Sequence, residues 1–186
     1  MKHYYQNIKG WLTFSELYKK MVERFPSGSH FVEIGCWLGQ SATFMGVEII
    51  NSGKKIKFDC VDNWEFSEFK TRVNDDDIQQ NVDSAYEQFL NNIKPLSDVL
   101  SCVKMNSVDA SKLYDDESLD FVFIDASHKY DDVMDDLNCW FPKVKVGGVI
   151  AGHDYNGAGV KKAVDEFFKG EELEYPDVSW VYNKNE

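Results

Sequence analysis

The sequence predicts an α/β fold in which a mostly parallel sheet is covered by helices on both faces. Short apolar runs alternate along the chain with longer amphipathic stretches of helical spacing. A glycine turn follows the first apolar run, and acidic residues stand close after three of the runs. Alternating strands and helices form parallel sheets, which bind ligands beyond the carboxyl ends of their strands. Candidate functional residues are therefore expected at those ends.

The composition is that of one globular domain spanning residues 1–186. With 43% hydrophobic and 15% aromatic residues, the chain is long enough and apolar enough to bury a core. Its formal net charge of -12 repels a phosphate backbone, so we expect no nucleic-acid partner. The sequence has no apolar stretch of membrane-spanning length, no apolar signal core and no C-x-x-C pair. These features predict a cytoplasmic protein without a membrane partner.

The predicted elements follow one another in a regular order. An N-terminal helical segment, residues 1–29, contains a first helix over about 13–25. The predicted strands are 30–34, 56–61, 99–103, 119–124, 146–151 and a closing strand over 178–182. The predicted helices are 41–50, 78–93, 131–141 and 160–168. Residues 64–80 are rich in aromatic and acidic side chains and are predicted to form a loop or lid over a substrate.

The first strand ends in a glycine turn. Gly35 follows it directly, and Gly39 stands where the next helix begins, shortly before Ser41. Glycine permits a tight turn and a close approach of ligand to backbone, and a helix N-terminus favours an anionic group. The G-x-x-x-G spacing differs from the G-x-G-x-x-G of dinucleotide-binding proteins. By themselves, the two glycines fit a plain strand-to-helix turn as well as a ligand site.

Asp62 follows the second strand. An acid at this point can accept hydrogen bonds from both ribose hydroxyls of an adenosine ligand, or it can cap a turn. Asp62 and the glycine turn together are more specific than either alone. After the third strand, residues 104–109 can contact an adenine edge, although a loop with a helix cap explains this segment equally well.

Two further strands end in acids accompanied by histidines. Asp125 and His128 follow the fourth strand, and His153 and Asp154 follow the fifth. Carboxylates that converge at one edge can hold Mg²⁺, which orients a substrate hydroxyl and makes it more acidic. His128 is a candidate general base because histidine titrates near neutrality. Each residue alone fits a helix cap or a packed histidine, but the four together favour an active site.

These motifs resemble those of the class I S-adenosylmethionine-dependent methyltransferases. Residues 32–42, with the sequence VEIGCWLGQSA, are similar to the cofactor-binding first motif, and Asp62 matches the acidic ribose-binding position. Residues 123–155 resemble the I-D-x-x-H-x-Y…D-L…W…L-x-x-G-G…H-D pattern of one branch. That branch includes the macrocin and mycinamicin sugar O-methyltransferases.

The resemblance implies a Rossmann-like, doubly wound sheet of seven strands with an antiparallel last strand. It implies S-adenosylmethionine as cofactor and O-methylation of a small molecule or sugar hydroxyl. The implied cofactor contacts are Glu33, Gly35, Gly39, Ser41, Asp62, Asn63, Ser107, Val108 and Asp125. In the metal-dependent members, Mg²⁺ is held at the positions of Asp125 and Asp154, and the base is at the position of His128. His153 is the further candidate ligand.

Departures from the family pattern keep the metal and the acceptor open. The branch is related more distantly to the catechol O-methyltransferases, which have Asn at the position of Tyr155. The sugar enzymes have an acid at the position of His153. The chain also lacks the added regions of the sugar enzymes. Two alternatives remain, an NAD-dependent Rossmann oxidoreductase and a non-catalytic S-adenosylmethionine-binding protein. The exposed edge of the short closing strand makes a homodimer plausible.

Overall fold

The computed structural model describes residues 1–65 and 84–185, which contain a six-stranded sheet in the order β3-β2-β1-β4-β5-β6. The strands are β1 (His30–Ile34), β2 (Lys57–Asp62), β3 (Leu100–Lys104), β4 (Leu119–Ile124), β5 (Val144–Gly152) and β6 (Trp180–Asn183). The first five pair in parallel, and β6 runs antiparallel to β5. The predicted α/β fold and the antiparallel last strand are confirmed.

Helices cover both faces of the sheet. They are α1 (Ser15–Arg24), α2 (Gln40–Ser52), α3 (Ala85–Ile93), α4 (Ser107–Ser111), α5 (Tyr130–Trp140) and α6 (Ala158–Phe167). The first three contribute to one buried apolar cluster and the last three to another. The alternation of strand side chains separates the clusters, since Phe31 belongs to the first and Val32 to the second. Burial of each such side chain contributes roughly 1.5–3 kcal/mol.

The strand order determines where the sheet can bind a ligand, which is at the carboxyl ends of its parallel strands, here called the functional edge. β1 lies between β2 and β4, so the chain winds outward from β1 in both directions. The two crossovers leave a crevice outside the carboxyl ends of β1 and β4, where open α/β sheets bind their ligands. This crevice receives the turns that follow Ile34, Asp62 and Ile124.

The sheet has six strands in the described residues, so the prediction of seven is wrong. The segment that runs back along the outer edge of β6 forms a single antiparallel bridge, between Glu174 and Val181. Their main chains exchange hydrogen bonds of 3.0 and 2.9 Å. Pro176 follows two residues later, and proline has no N–H to extend the ladder. Where a seventh strand was expected, the described residues therefore form only this one bridge.

Residues 104–109, predicted either to contact an adenine edge or to form a loop with a helix cap, lead into the short helix α4. Its cap is Asn106, whose side chain accepts the Asp109 N–H at 2.9 Å. Residues 66–80 of the predicted lid, and residues 78–83 of the predicted helix that becomes α3, lie outside the described residues. No helix among the described residues is both long and apolar enough to cross a membrane.

Candidate functional site

The glycine turn brings the end of β1 against the end of β4. Gly35 has a φ of +87°, and a Cβ atom there would lie 2.6 Å from the carbonyl carbon of Asp125. Gly39 has a φ of +84° and directly precedes α2, where a Cβ atom would lie 2.9 Å from the Phe89 ring. Both positions therefore require glycine, because of conformation and space together. The absence of a side chain at Gly35 thus lets the end of β1 pack directly on the main chain of Asp125.

Asp62 braces this turn. One carboxylate oxygen accepts the N–H groups of Cys36 at 2.8 Å and Trp37 at 3.0 Å, and the other accepts the Trp64 N–H at 2.8 Å. Burial raises the pKa of Asp62, and these backbone donors offset part of the rise. The oxygen bonded to Trp64 has a second lone pair that can accept from a ligand. The side chain of the next predicted contact, Asn63, accepts the Glu65 N–H at 2.9 Å.

Glu33 is buried beneath the same turn. Its Oε1 accepts a hydrogen bond from the Ser41 hydroxyl, and its Oε2 has no partner. Burial raises the pKa of Glu33 to about 8, although the Ser41 hydroxyl acts in the opposite direction. An unpaired buried carboxylate oxygen is unfavourable, so this site suits a ligand that brings a donor or a positive charge.

The predicted adenine contacts lie on α4. The Ser107 hydroxyl accepts the indole N–H of Trp140 at 2.7 Å, so this side chain joins α4 to α5. Val108 is exposed. Of the two, Val108 therefore offers its side chain to a ligand, whereas Ser107 has its hydroxyl engaged within the protein.

The two acids and two histidines at the ends of β4 and β5 form one cluster. His128 Nε2 lies 2.9 Å from Asp154 Oδ2. His153 Nδ1 lies 3.2 Å from the same oxygen and 3.6 Å from Asp125 Oδ1. Asp154 has a φ of +54°, which is uncommon for a residue other than glycine and is often found at functional sites. Adjacent strand ends thus bring together all four residues of the predicted active site.

The pKa values of the four residues in this cluster are shifted in different directions and for different reasons. The hydrogen bond to Asp154 raises the pKa of His128. The two histidines hold the pKa of Asp154 well below its ordinary value. Burial raises the pKa of Asp125 to about 6. Burial alone would lower the pKa of His153, but the neighbouring Asp154 and Asp125 outweigh it and raise that pKa.

The cluster also has the spacing of a metal site. Candidate ligand atoms of Asp125, His128 and Asp154 lie within 4.8 Å of one another. Two carboxylates fit a hard divalent cation, and the imidazole also suits first-row transition metals. His153 is 8% exposed and approaches the carboxylates from the protein side. A second grouping, of Glu33, Cys36 and Cys60, is fully buried beneath the glycine turn.

The N-terminal segment also contributes to this site, which no sequence motif predicted. Thr13 Oγ1 lies 2.7 Å from His153 Nε2, and the Gln40 side chain accepts the Leu12 N–H at 3.0 Å. Trp11 is 60% exposed and stacks on Trp37, with ring centroids 4.8 Å apart. The partners are 26 to 140 residues apart in the sequence, so no local pattern indicates these contacts.

The fold and the glycine turn define a Rossmann-like domain whose crevice lies at the ends of β1 and β4. A family model described as a methyltransferase domain matches residues 32–155, more than half of the chain. The chain belongs to this methyltransferase family. No curated protein sequence matches it.

Solved structures share this fold. The O-methyltransferase NovP is 18% identical with a TM-score of 0.67, and the match covers 92% of this chain and 79% of NovP. An S-adenosylmethionine-dependent O-methyltransferase from Thermotoga maritima is 11% identical with a TM-score of 0.62, over 95% of this chain and 66% of that one. A Streptococcus mutans chain, assigned as a methyltransferase and solved with S-adenosylhomocysteine, is 12% identical with a TM-score of 0.64. That match covers 91% of this chain and 96% of the other.

Proposed function

We propose that the protein transfers a methyl group from S-adenosylmethionine to a hydroxyl of a small molecule, assisted by a divalent cation. One observation carries the proposal beyond the family. The His128–Asp154 ion pair of 2.9 Å stands with Asp125 at the sheet edge beside the glycine turn. A proton acceptor, a carboxylate pair and a glycine turn at one edge are the groups that cation-assisted O-methylation would use.

The residues around the turn fit the cofactor. Gly35 is a proposed main-chain contact, because a glycine turn allows a ligand to approach closely. The unpaired Oε2 of Glu33 suits the ammonium group of the methionine part of the cofactor. The N-terminus of α2, with Gly39 and Ser41, suits the carboxylate of the same part. We also propose that the ribose contacts Asp62 and Asn63 and that the sulfonium lies near Asp125. The adenine would contact the side chain of Val108 and the main chain of Ser107.

Asp125 and Asp154 would hold the cation, which supplies acidification and orientation of the acceptor hydroxyl when bound. Mg²⁺ is the cation that we propose, because two carboxylate ligands suit a hard divalent ion. The two carboxylates project from adjacent strand ends, so both can face one ligand.

His128 is the proposed base. Its side chain is 59% exposed, and Asp154 stands at Nε2, so the ring can take up the acceptor proton at Nδ1. Asp154 then stabilises the imidazolium that forms. The same ion pair fixes the orientation of the ring relative to the carboxylates.

The surroundings support a small acceptor rather than a nucleic acid. The exposed ring of Trp11 lies two residues from Thr13, which contacts the cluster, and offers an apolar face to an acceptor ring. The net charge of -12 disfavours RNA or DNA.

Calorimetry with S-adenosylhomocysteine, with NAD as control ligand, tests the cofactor. We expect binding in the micromolar range for the first and none for NAD. Binding of NAD instead would establish the oxidoreductase alternative, and binding of neither would overturn the proposal. Titrations with Mg²⁺ and with EDTA show whether a cation contributes.

A screen of hydroxylated acceptors then tests catalysis. We expect His128→Ala to retain S-adenosylhomocysteine affinity and to lose about 10²–10⁴-fold in turnover, the range of general base catalysis. His3→Ala removes a histidine far from the cluster and should leave turnover unchanged. Full turnover in His128→Ala would remove the base from the mechanism. Absence of product with every acceptor would favour the non-catalytic binding protein.

A further inference from the structure

The N-terminal strap, residues 8–14, is attached at two points of the functional edge. At one point, Gln40 at the start of α2 accepts the Leu12 N–H at 3.0 Å and donates to the Ile8 carbonyl at 2.7 Å. At the other, Thr13 contacts His153 after β5. The strap therefore connects the helix that begins at the glycine turn with the cluster of acids and histidines.

His153 transmits the second attachment into the cluster. Its Nε2 lies 2.7 Å from Thr13 Oγ1, and its Nδ1 lies 3.2 Å from Asp154 Oδ2 and 3.6 Å from Asp125 Oδ1. An ionised carboxylate only accepts hydrogen bonds, so Nδ1 must carry a proton in this geometry. A lone pair on Nδ1 would face two negative groups and repel both.

The ring is held from its sides as well as from its ends. Phe14 packs against the imidazole with ring centroids 4.9 Å apart, and it also packs against Phe123 at 4.4 Å. His153 is 8% exposed, so few waters can replace a lost partner at Nε2. The Thr13 hydroxyl is therefore the group that decides which way the ring nitrogens point.

We propose that Thr13 is a positioning residue that acts through His153 on Asp154 and, through the shared Asp154 Oδ2, on His128. In this arrangement His153 orients the Asp154 carboxylate by donating from Nδ1, and it is not a ligand of the cation. The consequence for methyl transfer rests on the function proposed above, but the chain of contacts does not. Outer partners of this kind fix the geometry of ligating carboxylates and histidines.

The imidazole nitrogens can be observed directly. The chain has four histidines, so ¹⁵N-histidine labelling with long-range ¹H–¹⁵N spectra resolves each ring, and His→Asn variants assign them. At one fixed, neutral pH we expect the wild type to show His153 protonated at Nδ1. Thr13→Val should shift the His153 ring resonances and also those of His128, since Asp154 loses its fixed orientation.

Three controls separate positioning from a general structural effect. Thr13→Ser keeps the hydroxyl and should restore the wild-type spectrum. Thr43→Val removes another buried hydroxyl, which donates to the Gln40 carbonyl at 2.9 Å, and should leave His128 and His153 unchanged. The resonances of His3 and His30 should stay fixed in every variant, which shows that the fold persists.

Two results would overturn the proposal. One is a wild-type His153 without a proton on Nδ1, and the other is a His128 resonance that Thr13→Val leaves unshifted. S-adenosylhomocysteine calorimetry on the same samples keeps this test distinct from the proposed function. If the cofactor fails to bind while the coupled shifts occur, the function is wrong and the positioning role stands.

Discussion

Gly35 packs so closely on the main chain of Asp125 that a Cβ atom would lie 2.6 Å from its carbonyl carbon. We predict that Gly35→Ala lowers the free energy of unfolding by about 3 kcal/mol or more, since a left-handed φ and a clash with backbone act together. It should also abolish S-adenosylhomocysteine binding. Gly53→Ala is the matched control, because Gly53 has a φ of +69° with nothing within 4 Å of its Cβ position. In chemical denaturation, the free energy of unfolding of this control should fall by only about 1 kcal/mol.

Asp62 accepts three backbone N–H groups with its two carboxylate oxygens. Asp62→Asn replaces one acceptor oxygen by a donor that faces N–H groups, so we expect S-adenosylhomocysteine affinity to fall by at least about tenfold. The exposed Asp98→Asn changes the same charge and should bind normally in calorimetry. Equal affinity of the two variants would show that Asp62 supports neither the turn nor the ligand.

Glu33 makes the stability of the protein pH-dependent. Burial raises the pKa of its carboxyl group to about 8 in the folded protein, from about 4.5 in the unfolded chain. Between these values the unfolded state binds fewer protons, so the free energy of unfolding should fall as pH rises from about 4.5 to about 8. Glu33→Gln cannot ionise and should remove much of this fall, whereas the exposed Glu172→Gln should keep it. Denaturant titrations across this pH range provide the measurement.

Lys54 secures the end of α1. Its ammonium group donates to the carbonyls of Val22 at 2.7 Å, Glu23 at 2.8 Å and Phe25 at 2.8 Å. Removal of a charged donor from three carbonyls should lower stability by about 1.5–3 kcal/mol. We therefore expect Lys54→Met to be less stable than Lys55→Met, which removes the same charge one residue later. Similar thermal midpoints for the two variants would contradict this prediction.

The carboxylate pair is expected to bind a paramagnetic substitute for Mg²⁺. Mn²⁺ bound to the protein loses its free electron-resonance signal, so a titration measures its affinity. Asp154→Asn should weaken binding by about tenfold or more, because it removes one of two charged oxygen ligands. Asp177→Asn is the control, since Asp177 is another acid in the left-handed region, with a φ of +53°. Equal Mn²⁺ binding in both variants would place any cation elsewhere.

The strands of the sheet and the position of the crevice could be predicted from local sequence patterns. Apolar runs and helical periodicity depend on neighbours within a few residues, so β1 to β6 and the longer helices follow from local patterns, whereas the short helix α4 does not. The convergence of Asp125 and Asp154 was also predictable, because parallel strands deliver their carboxyl ends to one edge. The number of strands could not be predicted in this way, because it depends on how far the backbone pairs beyond β6. That pairing is limited to the Glu174–Val181 bridge, with Pro176 two residues further on.

The contacts among the acids, the histidines and the strap depend on long-range packing and could not be predicted from the sequence. The contact between Thr13 and His153 joins residues 140 positions apart, and the closeness of Gly35 to Asp125 depends on the exact packing of β1 against β4. Side-chain direction at a strand end is set by such long-range contacts, which no local pattern encodes. The sequence therefore predicted which side chains belong to the candidate site. The packing determines that His128 and His153 both contact one oxygen of Asp154.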